Sequence, residues 1–217
     1  MVNSKRPAVA PDDDWWDERL GAMEAILGPS DGLVSHTAVP FDFGFDAGSR
    51  AAVVHFRQHL PGVVLATCGL IGTDEQVTNV LGNYELAICH RSDEDWGIGL
   101  LGGLAYYTLD ASLKPGSTMD IEGAVPAGSV ISGQLFTEFA RFVVRGRKAG
   151  LLLCIGITSD ELALCRTGGR ERVEAALKAA DVYPFTDLYR ASVLPQPHPA
   201  AARTRRGSER ARRHTAS

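Results

Sequence analysis

Long apolar runs are absent from this sequence. None approaches the roughly 20 residues a helix needs to cross a bilayer, which excludes an α-helical membrane span. The opening segment, residues 1–14, has Lys5 and Arg6 but no apolar stretch behind them, so it does not read as a secretory signal. Cysteine is sparse. Cys68, Cys89, Cys154 and Cys165 form no Cys-x-x-Cys pair, which removes the closely spaced zinc and redox motifs. The first three sit in apolar runs, where a free thiol packs as a small hydrophobe. Reduced thiols without a signal point to a cytoplasmic protein. There is no phosphate-loop lysine motif and no internal repeat.

What is present is an ordinary globular composition. Hydrophobic residues make up 45% and charged residues 22% of the 217 residues. A chain of this length buries roughly 70% of its unfolded surface and needs no staples. Charge is unevenly placed. Arg203, Arg205, Arg206, Arg210, Arg212 and Arg213 stand against Glu209 alone, a local +5 that leaves −9 on the rest of a chain whose net charge is −4. By composition the acidic body is not a nucleic-acid surface. The expected division is a flexible arm at 1–11, one domain at 12–194 and a disordered basic tail at 195–217.

Within the domain, Trp16, Leu20, Met23, Ile26 and Leu27 follow a 3.6-residue period, and Gly28-Pro29 ends that helix. The Phe41, Phe43, Phe45 alternation predicts a short strand. Residues 51–60 and 63–70, joined by Pro61-Gly62, predict a hairpin. Strands are also expected at 84–90, 118–121, 130–139 and 151–157. Helices are expected at 96–109, from a Thr158…Glu161 capping box, and at 170–180, with Val173, Ala176, Leu177 and Ala180 inward. Strands adjoin strands rather than alternating with helices. The fold class is therefore α+β, with a mixed, mostly antiparallel sheet flanked by helices.

Candidate chemistry is thin. His55 and His59 lie four apart, but a strand would hold them roughly 13 Å from each other, too far for one metal; they read as exposed strand histidines. Cys89 and His90 are adjacent and point to opposite faces of a strand. Gly97-x-Gly99-x-x-Gly102 matches a dinucleotide fingerprint literally. It lies inside an apolar helix behind the acidic Asp93-Glu94-Asp95, so helix packing is the better reading. Asp120, Glu122, Asp160 and Glu161 are available for acid–base work, yet nothing in the sequence gathers them, and Asp160-Glu161 fits a first helical turn. No cofactor and no metal are expected.

Several segments, in consistent order over about 60–193, resemble the Suppressor of fused domain family. They are Val64-Leu65-Ala66-Thr67-Cys68-Gly69-Leu70; Asn83-Tyr84-Glu85-Leu86-Ala87-Ile88; Trp96 with Leu100-Leu101-x-x-Leu104-Ala105-x-Tyr107; Pro115 to Asp120; Leu153 to Leu162; and Asp187 to Val193. Two positions depart from the family pattern. Gly97 replaces the usual proline after tryptophan, and Gly72 stands where a Ser-Asp continuation is common. The resemblance implies a single Suppressor-of-fused-like domain. Animal relatives add a C-terminal domain and clamp a transcription-factor peptide between the two, and that clamp is not expected here. Bacterial single-domain relatives are associated with toxin–immunity systems. The resemblance thus implies a protein-binding module, not an enzyme: an immunity or antitoxin-like factor neutralising a basic toxin domain.

An acidic body suits such a partner, because complementary fields steer association. The expected contact residues are Asp74, Glu75, Glu85, Asp93, Glu94 and Asp95. Glu85 has two readings: a solvent-facing strand position, or a buried acid that organises a neighbouring loop. Two alternatives stay open, a hydrolase-type enzyme with a carboxylate or thiol site, and a nucleic-acid-associated regulator acting through Arg203–Arg213. No membrane partner is expected.

Overall fold

The computed structural model describes residues 13–40 and 50–195. The arm at 1–11, the Phe41–Phe45 alternation and the tail arginines lie outside them. In chain order the elements are α1 (Asp13–Leu27), β1 (Val34–Pro40), β2 (Arg50–Phe56), β3 (Val63–Thr67), β4 (Asn83–His90), α2 (Trp96–Tyr107), β5 (Thr118–Asp120), β6 (Ile131–Val144), β7 (Arg147–Thr158), α3 (Ser159–Leu164) and α4 (Arg170–Ala179).

The strands form one seven-stranded sheet in the order β1-β2-β3-β4-β7-β6-β5. Every pairing is antiparallel except β4 with β7. The mixed α+β class is as expected. The Pro61-Gly62 turn closes β2 onto β3. Gly62 has φ +103°, and a Cβ there would lie 2.1 Å from the His90 carbonyl oxygen, so only glycine fits.

Alternation along β4 divides the core. Tyr84, Leu86 and Ile88 face α2 through Leu100, Leu101, Leu104 and Ala105. Ala87 and Cys89 face the opposite layer, where α1 supplies Met23 and Leu27, α3 Leu162, and α4 Val173 and Leu177. The central strands are covered on both sides, which explains why β7 is buried continuously from Ala149 to Thr158. Among the described residues no helix is long and apolar enough to cross a membrane.

Three expectations need correction. A strand, β1, occupies 34–40, where the sequence pattern predicts none. β6 and β7 extend far beyond their expected ends, because Arg145 and Gly146 (φ +49° and +73°) close them as a two-residue hairpin. The outer half of β6 is only partly buried, so its apolar alternation was weak. Ala180 is exposed; Val173 and Leu177 carry the inner face of α4.

Candidate functional site

Glu85 is completely buried at the centre of β4. Its Oε1 accepts three successive backbone N–H groups, from Gly69 (3.0 Å), Leu70 (2.8 Å) and Ile71 (2.9 Å). Its Oε2 accepts the Thr67 hydroxyl at 2.6 Å, and that hydroxyl in turn accepts the Leu86 N–H at 2.8 Å. The loop after β3 is thus folded around one carboxylate. α1 packs on the far side of that loop: Arg19 donates to the Ile71 carbonyl at 3.0 Å, and a Cβ on Gly72 would lie 2.6 Å from the Trp15 ring. Of the two readings of Glu85, the structure supports the organising acid.

A second interior carboxylate fixes the other end of the sheet. Glu161 receives the Arg190 guanidinium as a fork, Nη1 to Oε1 at 2.7 Å and Nη2 to Oε2 at 2.5 Å. It also accepts the Thr158 N–H at 3.0 Å, as the capping pattern requires, and the Val193 N–H at 2.9 Å. Arg190 Nη2 further donates to the Gly156 carbonyl at 3.0 Å. Burial pushes the Glu161 carboxyl up, but the Arg190 fork and the two backbone N–H groups outweigh it and hold the group below its ordinary range. Sequence reasoning found the cap and missed the arginine, 29 residues away.

His90 ends β4 under the first turn of α2. It is buried, neither ring nitrogen has a hydrogen-bond partner, and the Trp96 ring meets it edge-on at 4.9 Å. Burial lowers its pKa. Gly97 lies against His90, Ile88 and Leu65 of the sheet, Gly102 is buried and Gly99 faces open space, so the Gly97-x-Gly99-x-x-Gly102 spacing serves helix packing.

The remaining candidates are dispersed. His55 is buried, not exposed as expected, and its Nε2 lies 2.9 Å from the Ser35 hydroxyl. His59 falls beyond β2 and stacks edge-on against Phe139. Among the described residues no three metal-ligating side chains gather. Burial pushes the Cys89 thiol up to about 12 and also raises Cys68, Cys154 and Cys165.

Of the expected acidic contact residues, Glu85 is completely buried and so presents no contact surface, and the others lie at the two ends of β4. Asp74 and Glu75 precede β4, and Asp74 lies 3.7 Å from Arg147 at the start of β7. Asp93, Glu94 and Asp95 follow β4, so a strand of about 25 Å separates the two groups. Asp93 pairs with Arg57 at 2.6 Å, and Arg57 also holds Asp31 at 2.8 Å. Glu94 accepts from the Ser92 hydroxyl and from Trp96 Nε1, which shapes the loop into α2.

Asp120 and Glu122, weighed as catalytic acids, sit at the same end of the sheet as Asp93–Asp95, but Asp93, held by Arg57 beyond β2, lies five strand spacings, about 24 Å, from β5. They rim a cleft of about 530 Å³ walled by Val125, Pro126, Ile131 and Leu162, with Arg166 3.7 Å from Asp120. Val130 on its lip and neighbouring Tyr189 are 48% and 65% exposed. Sequence reading passed over this cleft because its walls come from β6, α3 and a loop.

An α+β domain with one mixed sheet and two internal carboxylate locks is the class these features define. The sequence profile of the Suppressor of fused protein (SUFU) family matches residues 50–191, and the chain belongs to that family. A SUFU homolog from Neisseria gonorrhoeae FA 1090 superposes with a TM-score of 0.60 at 18% identity, covering 85% of this chain and 100% of that one. The Sufu–Fu complex structure superposes at 0.59 with 14% identity, covering 83% and 91% respectively. At these identities the likeness is one of fold. No curated protein sequence matches the chain.

Proposed function

We propose that this chain is a protein-binding module that captures a basic partner at the end of the sheet bearing Asp93, Glu94, Asp95, Asp120 and Glu122. Asp120 and Glu122 on the rim of a cleft with exposed apolar neighbours, at the same end of the sheet as Asp93–Asp95, carry the reading. Such a surface steers a cationic partner inward and offers it something to bury. Two further observations support binding over turnover. Both interior carboxylates are committed to fixed hydrogen bonds, and the thiols are held protonated by burial. The Sufu–Fu complex is an assembly of a relative with a protein, which favours the same mode.

The finer proposal is an immunity or antitoxin-like role, with a cationic toxin domain as partner, acting as one domain over 12–194 in the cytoplasm. The test is affinity capture from the source cell with three full-length baits: native, Asp93→Lys/Asp95→Lys, and Asp74→Lys/Glu75→Lys. A basic protein retained by the first and third and lost by the second is the expected result. Equal recovery by all three would contradict the acidic end as the working surface.

A further inference from the structure

The end of the sheet that carries the cleft is also where the described chain stops. Ser192 Oγ donates to Asp160 at 2.6 Å and Val193 N–H to Glu161 at 2.9 Å. Ser159 and Leu162, from the same short helix, line the cleft. Pro195 therefore leaves the body at this end of the sheet. The sequence then continues through 196–217 and places six arginines against Glu209 within 203–213. Arg203 lies eight steps along the chain from Pro195, a reach of up to about 28 Å, so the first arginines are within reach of the cleft.

The cleft's chemistry suits arginine. Its rim offers two carboxylates, of which Arg166 offsets one. Its walls are the aliphatic side chains of Val125, Ile131 and Leu162. A guanidinium donates to a carboxylate as a fork while its methylene stem covers apolar surface. Tyr189 follows Leu188, whose carbonyl accepts the Val130 N–H at 2.8 Å, and its ring is exposed. That ring is a cation–π platform for a second arginine.

We propose that the arginine-rich segment 203–213 docks in cis on the cleft rimmed by Asp120 and Glu122. The tether keeps the segment at an effective concentration on the order of millimolar, so even a weak site is substantially filled. The contact itself is independent of any partner. Its consequence, that a basic partner competes with the chain's own tail for the acidic end, rests on the function proposed above.

The test uses full-length chains and amide NMR at about 50 mM and about 500 mM salt, either side of strong screening. The native chain is compared with one whose six tail arginines are glutamine. The same pair is then made in an Asp120→Asn/Glu122→Gln background. The expected result is a shift difference at low salt confined to 120–132, 159–166 and Tyr189. It vanishes at high salt and in the neutralised cleft, and it does not change with protein concentration. Identical cleft resonances with and without the tail charges would overturn the proposal. So would differences mapping to the Asp74–Glu75 end, or differences that grow with concentration and so report a second copy. Tail resonances that move only when duplex DNA is added, with the cleft indifferent to tail charge, would assign the tail to nucleic acid and overturn it too.

Discussion

Glu85 shows how a single side chain sets a local fold. One oxygen organises three consecutive amides that would otherwise be buried without acceptors. Replacing it with alanine strands those donors and the Thr67 hydroxyl, at about 1–3 kcal/mol per unsatisfied group with partial relaxation. Glu85→Ala should therefore lower stability by about 3–5 kcal/mol in urea titration, far more than a surface substitution. A loss within the surface range would contradict the role assigned to this carboxylate. His90 makes a different residue-scale prediction. The unfolded imidazole titrates near 6.5, and burial holds the folded one lower. Below pH 6.5 the unfolded chain therefore binds the proton first. The stability that depends on neutral His90 is complete above that pH and is lost as pH falls toward the folded value. His55 adds a shift of the same sign. His90→Leu should flatten, without abolishing, the decline in urea midpoint below pH 6.5; an unchanged slope would contradict it.

At the scale of elements, glycine explains both departures from the family pattern. Gly72 has φ +93° and lies under Trp15, and Gly97 lets α2 settle onto the end of β4. A Cβ at Gly97 would lie 2.7 Å from His90 Nε2 and 2.9 Å from Ile88 Cγ2, whereas one at Gly99 meets open space. Helix propensity favours alanine at either position by about 1 kcal/mol, and overpacking opposes it by about 1–3 kcal/mol only where there is no room. Gly99→Ala should raise the thermal midpoint and Gly97→Ala should lower it; equal effects would show that α2 is not seated as described. The closing segment is held to α3 through Arg190. Removing one member of a buried pair costs about 3–5 kcal/mol, so Arg190→Ala should unfold at much lower denaturant. The native pair should weaken only in acid: its contribution is full above pH 4.5 and disappears as pH falls through the depressed Glu161 value.

These elements also show what was legible beforehand. The hairpin, the apolar stripe of α1 and the continuous apolar run of β7 declare themselves, since local pattern and burial agree. β1 and the outer half of the β6–β7 hairpin did not. Their pairing is set by partners and by a two-residue turn, not by their own alternation. The Glu85 lock was visible only as an acid out of place in an apolar strand, and the Glu161–Arg190 lock joins residues no local pattern links.

At the scale of the whole molecule, the strand order decides which acids act together. The expected contact acids Asp74, Glu75, Asp93, Glu94 and Asp95 lie in the loops before and after β4. The sheet puts Asp74 and Glu75 at one end and Asp93–Asp95, with Asp120 and Glu122 several strands away, at the other. The charge that matters is local, and replacing the tail arginines with glutamine should expose more of it. The native chain should therefore associate more slowly with a basic partner than the chain carrying six glutamines in the tail.

The most direct measurement is the association rate of the captured partner with full-length chain at rising ionic strength. Asp93→Lys/Asp95→Lys should reduce that rate by at least tenfold at low salt and flatten its salt dependence, while Asp74→Lys/Glu75→Lys leaves both nearly unchanged. Equal rates and equal salt slopes for the two reversals would contradict a binding surface at the Asp93–Glu122 end of the sheet.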